Sequence, residues 1–168
     1  MRALARLVAS AMFGFLVGAS CAEDPVVSCH GVADCALDCA GDDCDLECVS
    51  TSDCELTCRD RCDAQCLDTS NCDVACDADC RFVCERISNC AMDCGPGCDY
   101  VCRDASNCTA RVGDASVVVC EQISNCEITC LGSCEVTCLS AGNCDVSCAE
   151  GGPIDCGDGR WVCGDIAC

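Results

Sequence analysis

The chain has 168 residues, 29 of them cysteine, and sets 29 acidic residues against nine arginines with no lysine, for a net charge of −20. That charge excludes nucleic acid as a partner, because phosphates need cationic neutralisation, and it argues equally against an anionic lipid surface. Only Phe13, Phe15, Phe82, Tyr100 and Trp161 are aromatic, so cross-links must replace much of the burial that stabilises an ordinary domain.

Residues 1–21 read as a secretory signal peptide. Arg2 and Arg6 precede an apolar run, Leu7 to Val17, broken only by Ser10, and the small residues Gly18, Ala19 and Ser20 follow. The run is too short for a comfortable membrane span. "VGASC" resembles a bacterial lipobox in which the thiol of Cys21 receives the lipid, although Gly18 stands where leucine is usual. Ordinary cleavage after Ala22 is the alternative. Either route removes Cys21 from the disulfide pool and leaves 28 cysteines, an even number. Contact with a membrane is then expected only through that lipid. The expected location is extracellular, or the outer membrane or cell surface as a lipoprotein, where crowded thiols oxidise to disulfides. The chain contains no C-x-C and no C-x-x-C, the close spacings of thiolate metal sites, so no firm metal site is expected.

Residues 22–34 read as an N-terminal cap, 35–156 as a cysteine-rich repeat and 157–168 as a C-terminal cap. The unit is C-x3-C-x3-C-x3-C-x5, with a period of 18. Its first cysteines are Cys54, Cys72, Cys90, Cys108, Cys126 and Cys144; its fourth are Cys66, Cys84, Cys102, Cys120, Cys138 and Cys156. Cys35, Cys39, Cys44 and Cys48 form an earlier copy with one residue inserted in its middle gap, and Cys29 fits the end of a copy before that. A fixed period of this length marks a repeat architecture whose neighbours complete one another's core.

Between paired cysteines the middle residue is nearly always apolar, as in "CELTC", "CDVAC", "CRFVC" and "CEITC", and its flanks are mostly acidic or hydroxylated. In a strand, cysteine, apolar residue and cysteine face one way; a helix would split them. Two five-residue strands per unit follow, joined by a three-residue turn. A five-residue turn leads onward and ends in Asn71, Asn89, Asn107, Asn125 or Asn143. Asparagine tolerates left-handed backbone, and stacked coils would align these side chains as a ladder.

One unit is degenerate. Val112 and Ser116 replace its second and third cysteines together, while Cys108 and Cys120 remain. This coincident loss predicts second-to-third bridges (Cys39–Cys44, Cys58–Cys62, Cys76–Cys80, Cys94–Cys98, Cys130–Cys134). It also predicts first-to-fourth bridges within each coil (Cys35–Cys48, Cys54–Cys66, Cys72–Cys84, Cys90–Cys102, Cys108–Cys120, Cys126–Cys138, Cys144–Cys156). Gly152 stands at a third position, so Cys148 must turn to Cys163 or Cys168, and Trp161 is a candidate lid on the last coil.

The predicted fold class is all-β: a disulfide-laddered β-solenoid of 18-residue coils with two short strands each. An antiparallel β-meander is the alternative. The solenoid buries both apolar rows. Against it, a disulfide holds Cα atoms about 4.4–6.8 Å apart while packed sheets sit about 10 Å apart, which makes Phe82 and Tyr100 a tight fit. The architecture resembles that of the disulfide-bridged solenoids of insect antifreeze proteins, in general plan only. Their Thr-x-Thr rows are missing here, so the resemblance implies no ice binding.

Little in the sequence points to catalysis. His30 is the only histidine, and the carboxylates recur with the repeat, whereas a catalytic pair needs one special environment. Glu55, Asp73, Glu127 and Asp145 are candidates for weak Ca2+ binding, with no other cofactor expected. Asn107-Cys-Thr matches a glycosylation sequon. The chain therefore reads as a non-catalytic exported structural or surface protein, a rigid disulfide-stabilised rod. The alternatives are an acidic binding module for Ca2+ or a basic protein or glycan, and a secreted effector or inhibitor. Self-association is open in each case.

Overall fold

The structure is a computed structural model and describes residues 26–168; the leader and the lipid expected at Cys21 lie outside the described residues. In chain order the strands are β1 (Val27–His30), β2 (Asp34–Asp38), β3 (Asp45–Val49), β4 (Asp53–Asp60), β5 (Asp63–Leu67), β6 (Asn71–Ala78), β7 (Arg81–Cys94), β8 (Asp99–Val112), β9 (Ser116–Glu121), β10 (Asn125–Cys130), β11 (Cys134–Leu139), β12 (Asn143–Cys148), β13 (Ile154–Gly157) and β14 (Arg160–Cys163).

The pairing settles the topology. Among themselves strands β1 to β12 pair only in parallel, with Cys54 beside Cys72, Cys72 beside Cys90, Cys90 beside Cys108 and Cys126 beside Cys144. A residue thus meets the one 18 positions on. The first coil differs: Cys29 meets Cys48 and Cys35 meets Cys54, a step longer by the one inserted residue. The chain is a β-solenoid of about seven turns, all-β, and the meander is excluded. β7 and β8 continue through the five-residue turn and so belong to both faces.

The core lies between the two faces. One face contributes Leu56, Val74, Met92, Ala110 and Ile128 in register; the other contributes Leu46, Ala64, Phe82, Tyr100, Val118 and Val136. All are buried. The alternation in β4 and β6, inward at cysteine and apolar positions and outward at acid and threonine, is the period-2 pattern of a half-buried strand. A third inward column comes from the five-residue turns and has no counterpart in the strand pattern: Thr51, Thr69, Ile87, Ala105 and Ile123 are all buried. The hydroxyl oxygens of Thr51 and Thr69 find no hydrogen-bond partner there.

Of the thirteen disulfides among the described residues, eleven line the two edges of the coils, where the faces converge. At one edge the second and third cysteines are bonded as Cys39–Cys44, Cys76–Cys80, Cys94–Cys98 and Cys130–Cys134. Cys58 and Cys62 depart from the expected bridge and are buried, unbonded thiols. At the other edge the expected pairing within each coil is corrected. The fourth cysteine bonds the first cysteine of the next coil, as Cys48–Cys54, Cys66–Cys72, Cys84–Cys90, Cys102–Cys108, Cys120–Cys126 and Cys138–Cys144, with Cys29–Cys35 before them. The bridges expected at Cys35–Cys48, Cys54–Cys66, Cys72–Cys84, Cys90–Cys102, Cys108–Cys120, Cys126–Cys138 and Cys144–Cys156 do not form. The reason is geometric. The five-residue turn returns the chain one rung higher and leaves the Cα atoms of its flanking cysteines 6.2–6.5 Å apart, within bridging reach.

The turns themselves use left-handed residues that are mostly not glycine. Asp68, Arg86, Asp104 and Gln122 hold φ between 53° and 55° at equivalent positions of successive five-residue turns. The asparagines, which tolerate that conformation, instead open β6, β10 and β12 or lie within β7 and β8. At the C-terminal end β14 runs antiparallel along β11, setting Trp161 opposite Val136, and β13 pairs with β14. Cys148–Cys163 and Cys156–Cys168 fasten this hairpin, and half-buried Trp161 packs on the core.

Candidate functional site

Because successive coils stack in register, each outward position becomes a column. The asparagine column is a hydrogen-bonded ladder. The Nδ2 of Asn125 donates to Asn107 Oδ1 (2.9 Å), Asn107 to Asn89 (2.8 Å), Asn89 to Asn71 (2.7 Å) and Asn71 to the Asp53 carboxylate (2.6 Å). All bonds point one way and end on a charge, an arrangement in which each bond polarises the next. Asn107, the sequon residue, has both its amide nitrogen and its oxygen engaged.

The carboxylates named as calcium candidates share one column but fall into two pairs. Glu55 lies beside Asp73 and Glu127 beside Asp145, while Ala91 and Thr109 separate the pairs. With small side chains between them, the face sinks into a shallow trough of about 490 Å³ lined by Glu55, Asp73, Ala75, Ala91, Thr109 and Glu127. Asp145 is outside that lining. Arg111 is the one cationic side chain that the trough includes.

Four of the seven arginines among the described residues neutralise acids one coil away, a feature that the strand pattern did not reveal. Arg61 pairs with Asp43 (2.7 Å), Arg86 with Asp68 (2.7 Å), Arg81 with Asp63 (3.6 Å) and Arg103 with Glu85 (2.6 Å). Each partner lies 18 residues back, so comparing charges at that period would have found them. Hydrogen bonds from Arg61 and Arg86 hold the carboxyls of Asp43 and Asp68 below the ordinary range. In the C-terminal hairpin Arg160 grips Glu135 with two bonds of 2.8 Å and lowers its pKa in the same way. Asp114 is lowered by its side-chain and backbone bonds to Ser133. His30 lies 3.8 Å from Glu47 on the exposed first coil.

Inside, the sulfurs crowd. Those of Cys58, Cys62, Cys76 and Cys80 lie within 4.8 Å of one another, all buried. Cys76 and Cys80 are bonded to each other, so this cluster offers two thiols and not four. Burial, reinforced by the neighbouring Cys62, pushes the Cys58 thiol well above its ordinary pKa and keeps it protonated. Burial alone does the same to the Tyr100 hydroxyl.

No family model, no curated protein and no solved structure matches the chain.

Proposed function

We propose that this is a non-catalytic, exported structural protein, a short rigid block on a cell surface or in an outer layer. Seven coils at about 4.8 Å each give a length on the order of 34 Å. The observation that carries the reading is the sulfur lining: disulfides and aliphatic side chains fill one continuous interior, while the asparagine column and four arginine–acid pairs bond coil to coil on the outside. So many disulfides fit an oxidising, extracellular setting. The test is antibody labelling of intact producing cells combined with protease challenge. The expected result is a surface signal that survives protease when oxidised and is lost after reduction. No surface signal, or equal digestion in both states, removes the reading.

The paired carboxylates Glu55 and Asp73 at the trough support a second reading, an acidic module for Ca2+ or a basic partner. Calorimetry with Ca2+ decides its metal form: heat that is lost in a Glu55→Gln, Asp73→Asn variant supports it, and no heat removes it.

A further inference from the structure

We propose that the sulfur column along the turn edge is a path for thiol–disulfide exchange, through which an external dithiol at the first coil can displace a thiol two coils away. The column reads Cys29, Cys35, Cys48, Cys54, Cys66, Cys72 in space as well as in sequence. Cys29–Cys35, Cys48–Cys54 and Cys66–Cys72 are bonds. The gaps between these bonds are short. Cys48 Sγ lies 3.5 Å from Cys35 Sγ, and the sulfurs of Cys54, Cys66 and Cys72 lie within 4.8 Å of one another. Contact between sulfurs is therefore continuous over six residues.

The cause is the winding. A fourth cysteine sits between the first cysteine of its own coil and that of the next, so it has two neighbours within reach. The bonds take one of two alternating sets. The other set, Cys35–Cys48 and Cys54–Cys66, needs no change in coil register.

Exchange moves between the sets in balanced steps. A dithiol reduces Cys29–Cys35, becomes a disulfide itself and leaves two protein thiols. The Cys35 thiolate attacks Cys48, forming Cys35–Cys48 and releasing the Cys54 thiolate. Cys54 attacks Cys66, forming Cys54–Cys66 and releasing Cys72. The external dithiol has lost two electrons, and the protein ends with thiols at Cys29 and Cys72, each holding one proton. Among these six Cys29 is half-buried whereas Cys35, Cys48, Cys54, Cys66 and Cys72 are buried, so entry to this stretch is at the first coil. The attacking species is the thiolate, which makes the exchange faster at higher pH. The opposite edge cannot carry such a path along its whole length, because Val112 and Ser116 interrupt it.

The experiment is a thiol map of the folded, oxidised protein after one equivalent of dithiothreitol at pH 8, followed by acid quench, alkylation and peptide mass spectrometry. Beyond Cys58 and Cys62, which are thiols before treatment, the expected result is new alkylation at Cys29 and Cys72 with Cys35–Cys48 and Cys54–Cys66 peptides. New alkylation confined to Cys29 and Cys35, with Cys48–Cys54 and Cys66–Cys72 intact, overturns the proposal. A Cys29→Ser, Cys72→Ser variant removes two cysteines that are not partners and does not depend on where the reductant acts. It is expected to close completely as Cys35–Cys48 and Cys54–Cys66. Free thiols at Cys35 and Cys66 would show that the second set is not accessible and would sink the proposal.

Discussion

Phe82 and Tyr100 stack one coil apart, with ring centroids 5.5 Å apart and planes inclined by 8°. Both are fully buried, and their column places Ala64 beneath Phe82 and Val118 beyond Tyr100. Phe82→Ala should cost about 3–5 kcal/mol, because small neighbours cannot close the cavity. Tyr100→Phe removes only the hydroxyl that donates to the Cys90 carbonyl oxygen at 3.4 Å and should cost about 1 kcal/mol. Denaturant unfolding with the bridges oxidised measures both. A larger loss for Tyr100→Phe would mean that the rings do not set the core.

The asparagine ladder should be costlier to break in the middle than at its Asn125 end. Asn89→Ala removes one donated and one accepted bond; Asn125→Ala removes the single ladder bond it donates. Each bond is exposed and should contribute at the low end of about 0.5–1.5 kcal/mol. Thermal melts of the two variants should therefore rank Asn89→Ala below Asn125→Ala. Equal melts would show that the ladder bonds contribute nothing measurable to stability.

Thr51 and Thr69 bury hydroxyl oxygens without partners, in the column that elsewhere holds Ile87 and Ile123. Thr69→Val exchanges an unsatisfied polar atom for a methyl group of similar size. It should stabilise the fold by about 1 kcal/mol, seen as a higher denaturant midpoint. A lower midpoint would mean that the hydroxyl is satisfied in solution.

Acid should weaken the ion pairs. The carboxyls of Asp43, Asp68, Asp114 and Glu135 all lie below their ordinary values when folded. Their contribution is complete above the unfolded pKa, about 4, and is lost as pH falls through the depressed folded values. Other carboxylates repel one another less once protonated, so the comparison must be relative. Arg160→Gln, which removes the partner of Glu135, should melt below the wild type at pH 7, and the two should converge as pH falls through the depressed folded value of Glu135. A gap that persists at low pH would assign Arg160 a role other than charge.

Much of this architecture is legible in the residues. The 18-residue period gives the parallel register, and the joint loss at Val112 and Ser116 points to the second-to-third bridges. The other edge is not legible, because Cys35 bonds Cys29 yet lies only 3.5 Å from Cys48. Spacing along the chain cannot choose between two neighbours that the winding brings to the same cysteine. Turn chemistry misleads for a different reason. Asparagine is the residue expected at positive φ, but Asp68 and Arg86 take that conformation, and Asn71 and Asn89 serve the ladder. On the outer face Ala91 and Thr109 split the acidic column into the pairs Glu55–Asp73 and Glu127–Asp145, an interruption already visible in the residues.

Eleven of the bridges span only four to six residues; the exceptions are Cys148–Cys163 and Cys156–Cys168 in the hairpin. None of those eleven ties a residue to its equivalent one coil further on. Along the axis the stack is held like a roll of tape, by backbone hydrogen bonds and layered side chains alone. Tension applied to its two ends would peel the windings off one by one with every sulfur–sulfur bond intact, and slackening would let them rewind without an oxidant.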